Sequence, residues 1–257
     1  MSHFKTIYLT LVAVLIAVTA HAEADLAQEA AAAYAQENYT RALELYTQIE
    51  REQGNSSALQ YNMGNTYYKL KDVPHAIVCY ERALMLDPGN SDAHYNLDFV
   101  REKSGLVTDD GATFFSDTLD KTVSRMSSNT WAGIALAAFL LCLAGVAVYV
   151  LRENVTLRKV GFYGTIAMIA VCGLSIAASL HVRHKCSTHN HAVVMRQAAM
   201  SVAPRVPKDS TEVAMRLAPG FTVEIVDSVT SDSIQWLQVV TTDGRNAWTV
   251  KDDIEII

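Results

Sequence analysis

The chain has 257 residues, 50 % of them apolar and 19 % charged, with a formal net charge of −6. Soluble domains average about 25 % charged residues, so a wholly water-borne protein is disfavoured, as is a disordered one, which needs low hydrophobicity and high net charge. The acidic balance offers nothing to nucleic acid, and four scattered cysteines are too few for a disulfide scaffold.

The first apolar run is Ile7 to Ala20, with Lys5 before it and Ala20-His21-Ala22 after it. It is too short to span a bilayer, and its flanks are those of a secretory signal peptide, residues 1–22. An uncleaved anchor or a buried helix is the alternative.

Residues 23–105 carry a repeat of 34. In the window Ser57 to Asn90, Gly64, Tyr67, Ala76, Tyr80, Ala83 and Pro88 fall at the signature spacing of a tetratricopeptide repeat. The small residues suit a close helix crossing, the tyrosines fill between helices, and Pro88 stops the second helix. Shifted back by 34, Tyr34, Ala42 and Tyr46 mark a degenerate earlier repeat, with Ala30 at the glycine and Gly54 at the proline. Shifted forward, Ser91 to Leu97 echoes Ser57 to Met63, giving two repeats and a half. The resemblance to this repeat family implies a concave face on the first helix of each pair. Tyr61, Asn62, Asn65, Lys69, Tyr95 and Asn96 are the protein-binding candidates there, because asparagine amides can hold a peptide backbone or a carboxylate. A merely solvated groove is the competing reading. Cys79 reads as a small buried hydrophobe.

The linker 106–130 begins with Thr108-Asp109-Asp110-Gly111. Phe115, Leu119, Val123 and Met126 then recur at helical spacing. This predicts an amphipathic juxtamembrane helix, lying on a membrane or packed on the repeats.

Residues 131–151 and 160–180 contain no charge. Each gives about 31 Å of helix, enough for a hydrocarbon core. Trp131, Tyr149, Phe162 and Tyr163 stand where interfacial aromatics would. The loop 152–159 carries Arg152, Arg158 and Lys159 against Glu153. A two-helix transmembrane hairpin is expected, with a cytoplasmic loop and both flanking regions outside the cytoplasm.

The juxtamembrane segment 181–191 holds His181, His184, Cys186, His189 and His191. Imidazole and thiolate suit zinc or copper, but Arg183 and Lys185 would repel a cation. Polar anchoring is the favoured reading; a metal or thiol sensor is the lesser one.

From residue 192 to 257 the pattern becomes strand-like: 193–195, 201–203, 222–226, 236–240 and 247–250, punctuated by Pro204, Pro207, Pro219-Gly220 and Asp243-Gly244. Five short strands predict a small closed barrel. The landmarks Gly220, Trp236, Gly244 and Trp248 resemble those of a bacterial SH3-like domain, with Ala247 at a position usually glycine. Both tryptophans read as structural, with a ligand platform as the alternative.

The fold class expected is thus a multidomain membrane protein: an all-α tetratricopeptide solenoid, a two-helix transmembrane hairpin and a small all-β SH3-like barrel. No Walker loop, dinucleotide fingerprint, G-x-S-x-G or H-E-x-x-H occurs, so a non-enzymatic protein without cofactors is expected. The order of modules resembles the BatE-type proteins of aerotolerance operons. That resemblance implies an inner-membrane scaffold with both soluble domains in the periplasm. It also implies partners among membrane proteins with von Willebrand factor A domains, and a role in envelope stress. A peptidoglycan binder acting through the SH3-like domain is the alternative.

Overall fold

The computed structural model describes residues 26–106, 122–123, 125–187, 190–231 and 233–257, apart from the side chains of 184–187. The signal-peptide segment, Phe115 and Leu119 of the expected amphipathic stripe, and the side chains of His184, Cys186 and His189 lie outside these residues.

Five helices form the N-terminal stack: α1 (26–35), α2 (Tyr39–Gln53), α3 (Ser57–Lys69), α4 (Val73–Leu86) and α5 (Ser91–Lys103). Their ends repeat with the 34-residue period. Asn38 and Asp72 cap α2 and α4; Ser56 and Asn90 cap α3 and α5. In each case a side-chain oxygen accepts from a first-turn backbone N–H. The first helix of each pair closes in the same way. Glu37, Lys71 and Gly105 take φ of 61°, 68° and 67°. The following amides, of Asn38, Asp72 and Leu106, donate to Ala33, Tyr67 and Arg101 carbonyls at 2.9, 2.9 and 2.8 Å. The degenerate first repeat and the terminal half-repeat therefore share the helix caps and closing turns of the central repeat.

Ala30, Ala42, Ala76 and Ala83 are fully buried, as the small signature positions require. At Gly64 even a Cβ would come within 2.7 Å of the Tyr80 ring. At Asn38 and Asp72 a polar cap starts the next helix, but the third equivalent is Leu106, which has no acceptor and is buried.

Leu106 is buried against the C-terminal sheet. Ala76, Ile77, Val78, Tyr80, Leu97 and Val100 share one core with Leu106 and with Val193 of the sheet; Met195, Phe221 and Ile257 pack on it. The apolar faces of α4 and α5, which end the stack, are thereby covered, as solenoid ends need to be. Gly220 sits at the closest approach. Its φ is +95°, and a Cβ there would lie 2.7 Å from Leu106 Cδ1 and 3.1 Å from Ile77 Cδ1. The Pro219-Gly220 turn supplies that conformation. Two arginines bridge the seam: Arg82 pairs with Glu255 at 2.9 Å and donates to the Ile256 carbonyl at 3.0 Å. Arg101 pairs with Glu81 and donates to Thr222 Oγ1 at 2.9 Å. Part-exposed ion pairs contribute about 0–1 kcal/mol, whereas burying one Ile or Val side chain contributes roughly 1.5–3 kcal/mol. Apolar burial dominates this seam.

Helices α6 (Ser128–Leu151) and α7 (Val155–Ser187) form an antiparallel hairpin. Both are long and apolar enough to cross a membrane. Ser179 Oγ donates to the Ser128 carbonyl at 2.9 Å, and Cys172 Sγ to that of Ala135 at 3.5 Å. The backbones come together at Gly145 and Gly161, where a Cβ on Gly161 would be 2.8 Å from the Gly145 carbonyl oxygen. The loop expected over 152–159 shrinks to residues 152–154, because Asn154 Oδ1 accepts from Thr156 N–H and starts α7 early. Arg158 thereby becomes helical, its guanidinium 5.1 Å from the Tyr149 ring centroid.

The sheet has seven antiparallel strands: β1 (His191–Val194), β2 (Ala198–Ser201), β3 (Val213–Leu217), β4 (Thr222–Ser231), β5 (Ile234–Val240), β6 (Asn246–Val250) and β7 (Ile254–Ile256). The order is β3-β2-β6-β5-β4-β1-β7. This corrects the expected closed, five-stranded barrel. Among the described residues β3 pairs only with β2 and β7 only with β1, so the end strands do not join. All seven strands except β7's outer residues nonetheless line one core, from Ala192 and Val194 through Met200, Met215, Leu217, Val223, Leu237, Val239 and Ala247 to Ile254. On β1, Val193 faces the helical stack while Ala192 and Val194 face this core, so both faces are buried. Gly244, with φ +79°, ends the β5–β6 turn that Asp243 and Thr241 brace. Trp236 is buried but lies on the pleat opposite Leu237 and Val239, outside the main core, and Trp248 is only half-buried.

Replacing Gly64 by Val forces branched carbons into the Tyr80 ring. Loss of about 1–3 kcal/mol is expected, read as a lowered urea midpoint for the α-helical signal.

Candidate functional site

The stack holds a cleft of ≈ 260 Å³ between α1, α3, α4 and α5. Tyr34, Tyr61, Tyr68, Tyr80 and Phe99 make it aromatic. Its polar centre is a side-chain network. Tyr80 O–H donates to Asn65 Oδ1 at 2.7 Å, Asn96 Nδ2 donates to the same oxygen at 2.8 Å, and Tyr61 O–H lies 3.4 Å from Asn96 Nδ2. Among the described residues that leaves Asn65 Nδ2 as a donor and Asn96 Oδ1 as an acceptor, a pair complementary to a peptide amide. Lys69 is exposed at the rim. Tyr68 stacks edge-on to Phe99 at 6.0 Å, with Lys71 Nζ 5.8 Å from its ring centroid. Burial raises the Tyr80 and Tyr34 phenols above their ordinary range, which keeps the Tyr80 O–H donating to Asn65 Oδ1.

Four sequence candidates converge here: Tyr61, Asn65, Lys69 and Asn96. Asn62 and Tyr95 do not line the cleft. Tyr95 is 71 % exposed on α5, and the backbone carbonyl of Asn62 accepts from Thr66 Oγ1 at 2.7 Å. Tyr34, Tyr68 and Phe99 were not picked out from the sequence. Tyr34 and Tyr68 are one repeat period apart, a recurrence that marks the degenerate first repeat in the sequence but does not by itself place either ring in the cleft.

A second cleft of ≈ 250 Å³ opens between α2, α3, α4 and β7. Arg82, His75, Glu50 and Glu255 line it around Tyr67, Cys79 and Gln60. Gln60 is buried and its Nε2 donates to Glu50 Oε1 at 2.8 Å, while its carbonyl has no partner. His75 stacks on Tyr67 at 5.0 Å and meets Asp72 Oδ2 through Nδ1 at 2.8 Å. Burial pushes the Cys79 thiol to about 12 and the Tyr67 phenol to about 12. A thiol held that high is no nucleophile at neutral pH.

Among the described residues no group of three His, Cys, Asp or Glu side chains is placed to hold a metal ion. His181 and His191 lie at the end of α7 and the start of β1.

The model of the tetratricopeptide repeat family matches residues 57–90. That span runs from the start of α3 to the residue that caps α5, the same pair of helices that supplies most of the cleft. A search of curated proteins found no match.

The raised Cys79 and Tyr67 groups, together with the raised Tyr80 phenol, make stability pH-dependent. Cys79 and Tyr67 ordinarily titrate at 9.0 and 10.0. Between those values and about 12 the unfolded chain binds fewer protons than the native one, so stability is full below about pH 9 and falls as pH rises towards 12. A urea midpoint that drops between about pH 8 and about pH 11, and drops less in Cys79→Ala, is the expected result.

Proposed function

We propose that the chain is a non-enzymatic, membrane-anchored scaffold whose helical stack holds a protein partner in the α1–α3–α4–α5 cleft. The observation that carries this reading is the free amide donor and acceptor of Asn65 and Asn96, set in an aromatic cleft of a tetratricopeptide repeat. Such repeats bind extended peptides along their concave face, backbone first and side chains second. The tyrosines supply rigid apolar contact at low entropic cost, and Lys69 at the rim favours a partner with an acidic side chain nearby.

The apolar hairpin fixes this domain at a membrane. With a signal peptide ahead of it, the stack and the sheet stand in the periplasm of a bacterial inner membrane, and residues 152–154 in the cytoplasm. The order of modules favours the BatE-type reading, with von Willebrand factor A-type membrane proteins as partners in an envelope stress complex. The C-terminal sheet, in which Gly220, Trp236, Gly244 and Trp248 follow the SH3-like order, then caps the stack before it does anything else.

A mild-detergent pull-down from native membranes tests this. Lys69→Glu with Phe99→Ala alters the rim and leaves the seam core untouched. Truncating interface anchors of this kind costs about 1–2 kcal/mol each, so partner recovery is expected to fall by roughly tenfold or more. Recovery of the same von Willebrand factor A-type proteins by the variant would contradict cleft binding. Sedimentation of the full chain with purified sacculi would move the weight to peptidoglycan.

A further inference from the structure

The turn between α4 and α5 meets the chain where the hairpin begins. A Cβ at Gly89 would lie 3.3 Å from the carbonyl oxygen of Arg125, which stands just ahead of Ser128, the first residue of α6. Ser128 is also the level at which α6 and α7 are tied, through Ser179. Helix α7 then continues to Ser187, a further rise of about 12 Å, before β1 begins. The α4–α5 turn therefore sits where the chain enters α6, at the end of the hairpin from which α7 runs on to β1.

The turn itself carries two exposed acids, Asp92 and Asp87, the latter accepting from Gly89 N–H through Oδ1 at 3.0 Å; around them stand apolar and cationic side chains. Leu86, the last residue of α4, is 52 % exposed, and Met126 is 37 % exposed. Arg125 and Arg183 are exposed. Trp131 anchors the entry by donating from Nε1 to the Val123 carbonyl at 3.0 Å. Further along α6, Leu136, Leu140 and Leu141 are each more than half exposed. An exposed leucine and methionine beside an indole and two arginines match the layered chemistry of a bilayer boundary: acyl chains, then glycerol, then phosphate.

We infer that the helical stack rests on the phospholipid surface through its α4–α5 turn, with Leu86 and Met126 in the headgroup–acyl boundary and Arg125 and Arg183 at the phosphates. This rests on reading α6 and α7 as a membrane-spanning hairpin. The contact fixes the stack as well as tethering it, so the cleft is presented at a set angle to the membrane.

Spin labels measure this directly. Single cysteines replace Leu86, Leu140 or Thr242 in the full chain with Cys142, Cys172 and Cys186 changed to alanine; buried Cys79 stays. Each protein is labelled and reconstituted in vesicles of phosphatidylethanolamine and phosphatidylglycerol. The ratio of oxygen to nickel-chelate accessibility is then recorded. Leu86→Cys is expected to give a ratio several-fold above Thr242→Cys and below Leu140→Cys. A Leu86→Cys ratio equal to that of Thr242→Cys overturns the inference. If Leu140→Cys is then lipid-like, only the surface contact falls; if it too is aqueous, the spanning hairpin falls with it.

Discussion

The seam where Ile77, Val100 and Leu106 of the helical stack meet Val193, Phe221 and Gly220 is the contact on which the rest of the architecture depends. A stack of two and a half repeats has an exposed apolar end, and short solenoids need that end covered. Here the cover comes from a sheet lying far along the chain, beyond the whole hairpin. Leu106 marks the switch. It occupies the position at which Asn38 and Asp72 cap a following helix, yet it is apolar and is buried in the seam instead.

That contact constrains the hairpin. The two partners in the seam are separated by α6 and α7, so the chain has to leave and return at one end. The antiparallel pairing of Ser128 with Ser179 provides this, and the close approach at Gly145 and Gly161 brings the two helix backbones together. The seam also reaches the candidate site. Val100 belongs both to the seam core and to the cleft, and Tyr61 and Tyr68 line the cleft while packing on the seam. The sheet thus supports the floor of the cleft from behind, which keeps the Tyr80–Asn65–Asn96 network in place.

Much of this was legible in the sequence because it is local. The 34-residue period gave the helices, and the caps at Asn38, Ser56, Asp72 and Asn90 recur with it. The uncharged runs gave α6 and α7, and Pro219-Gly220 and Asp243-Gly244 gave two turns. Four of the six proposed groove residues share one cleft, because helical periodicity places i, i+4 and i+8 on one face. What escaped is long-range. No periodicity reports that Ile77 touches Gly220, or that both faces of β1 are buried. Strands β3 and β7 were missed because Ala214, Met215 and Arg216 are weak strand formers and Ile254–Ile256 is only three residues long. Closure of the sheet was expected from strand number, but it depends on end-strand pairing that a linear pattern does not encode.

The central claim is that the stack and the sheet fold as one unit. Hydrogen exchange on the full chain carrying Gly220→Val tests it most directly. The branched side chain cannot be accommodated at φ +95° against Leu106 and Ile77. If the account is right, amides of α4 and α5 lose protection together with those of β1, while α1 and α2 lose less. Protection of α4 and α5 unchanged from the parent chain, with loss confined to the sheet, would contradict it and make the two domains independent modules.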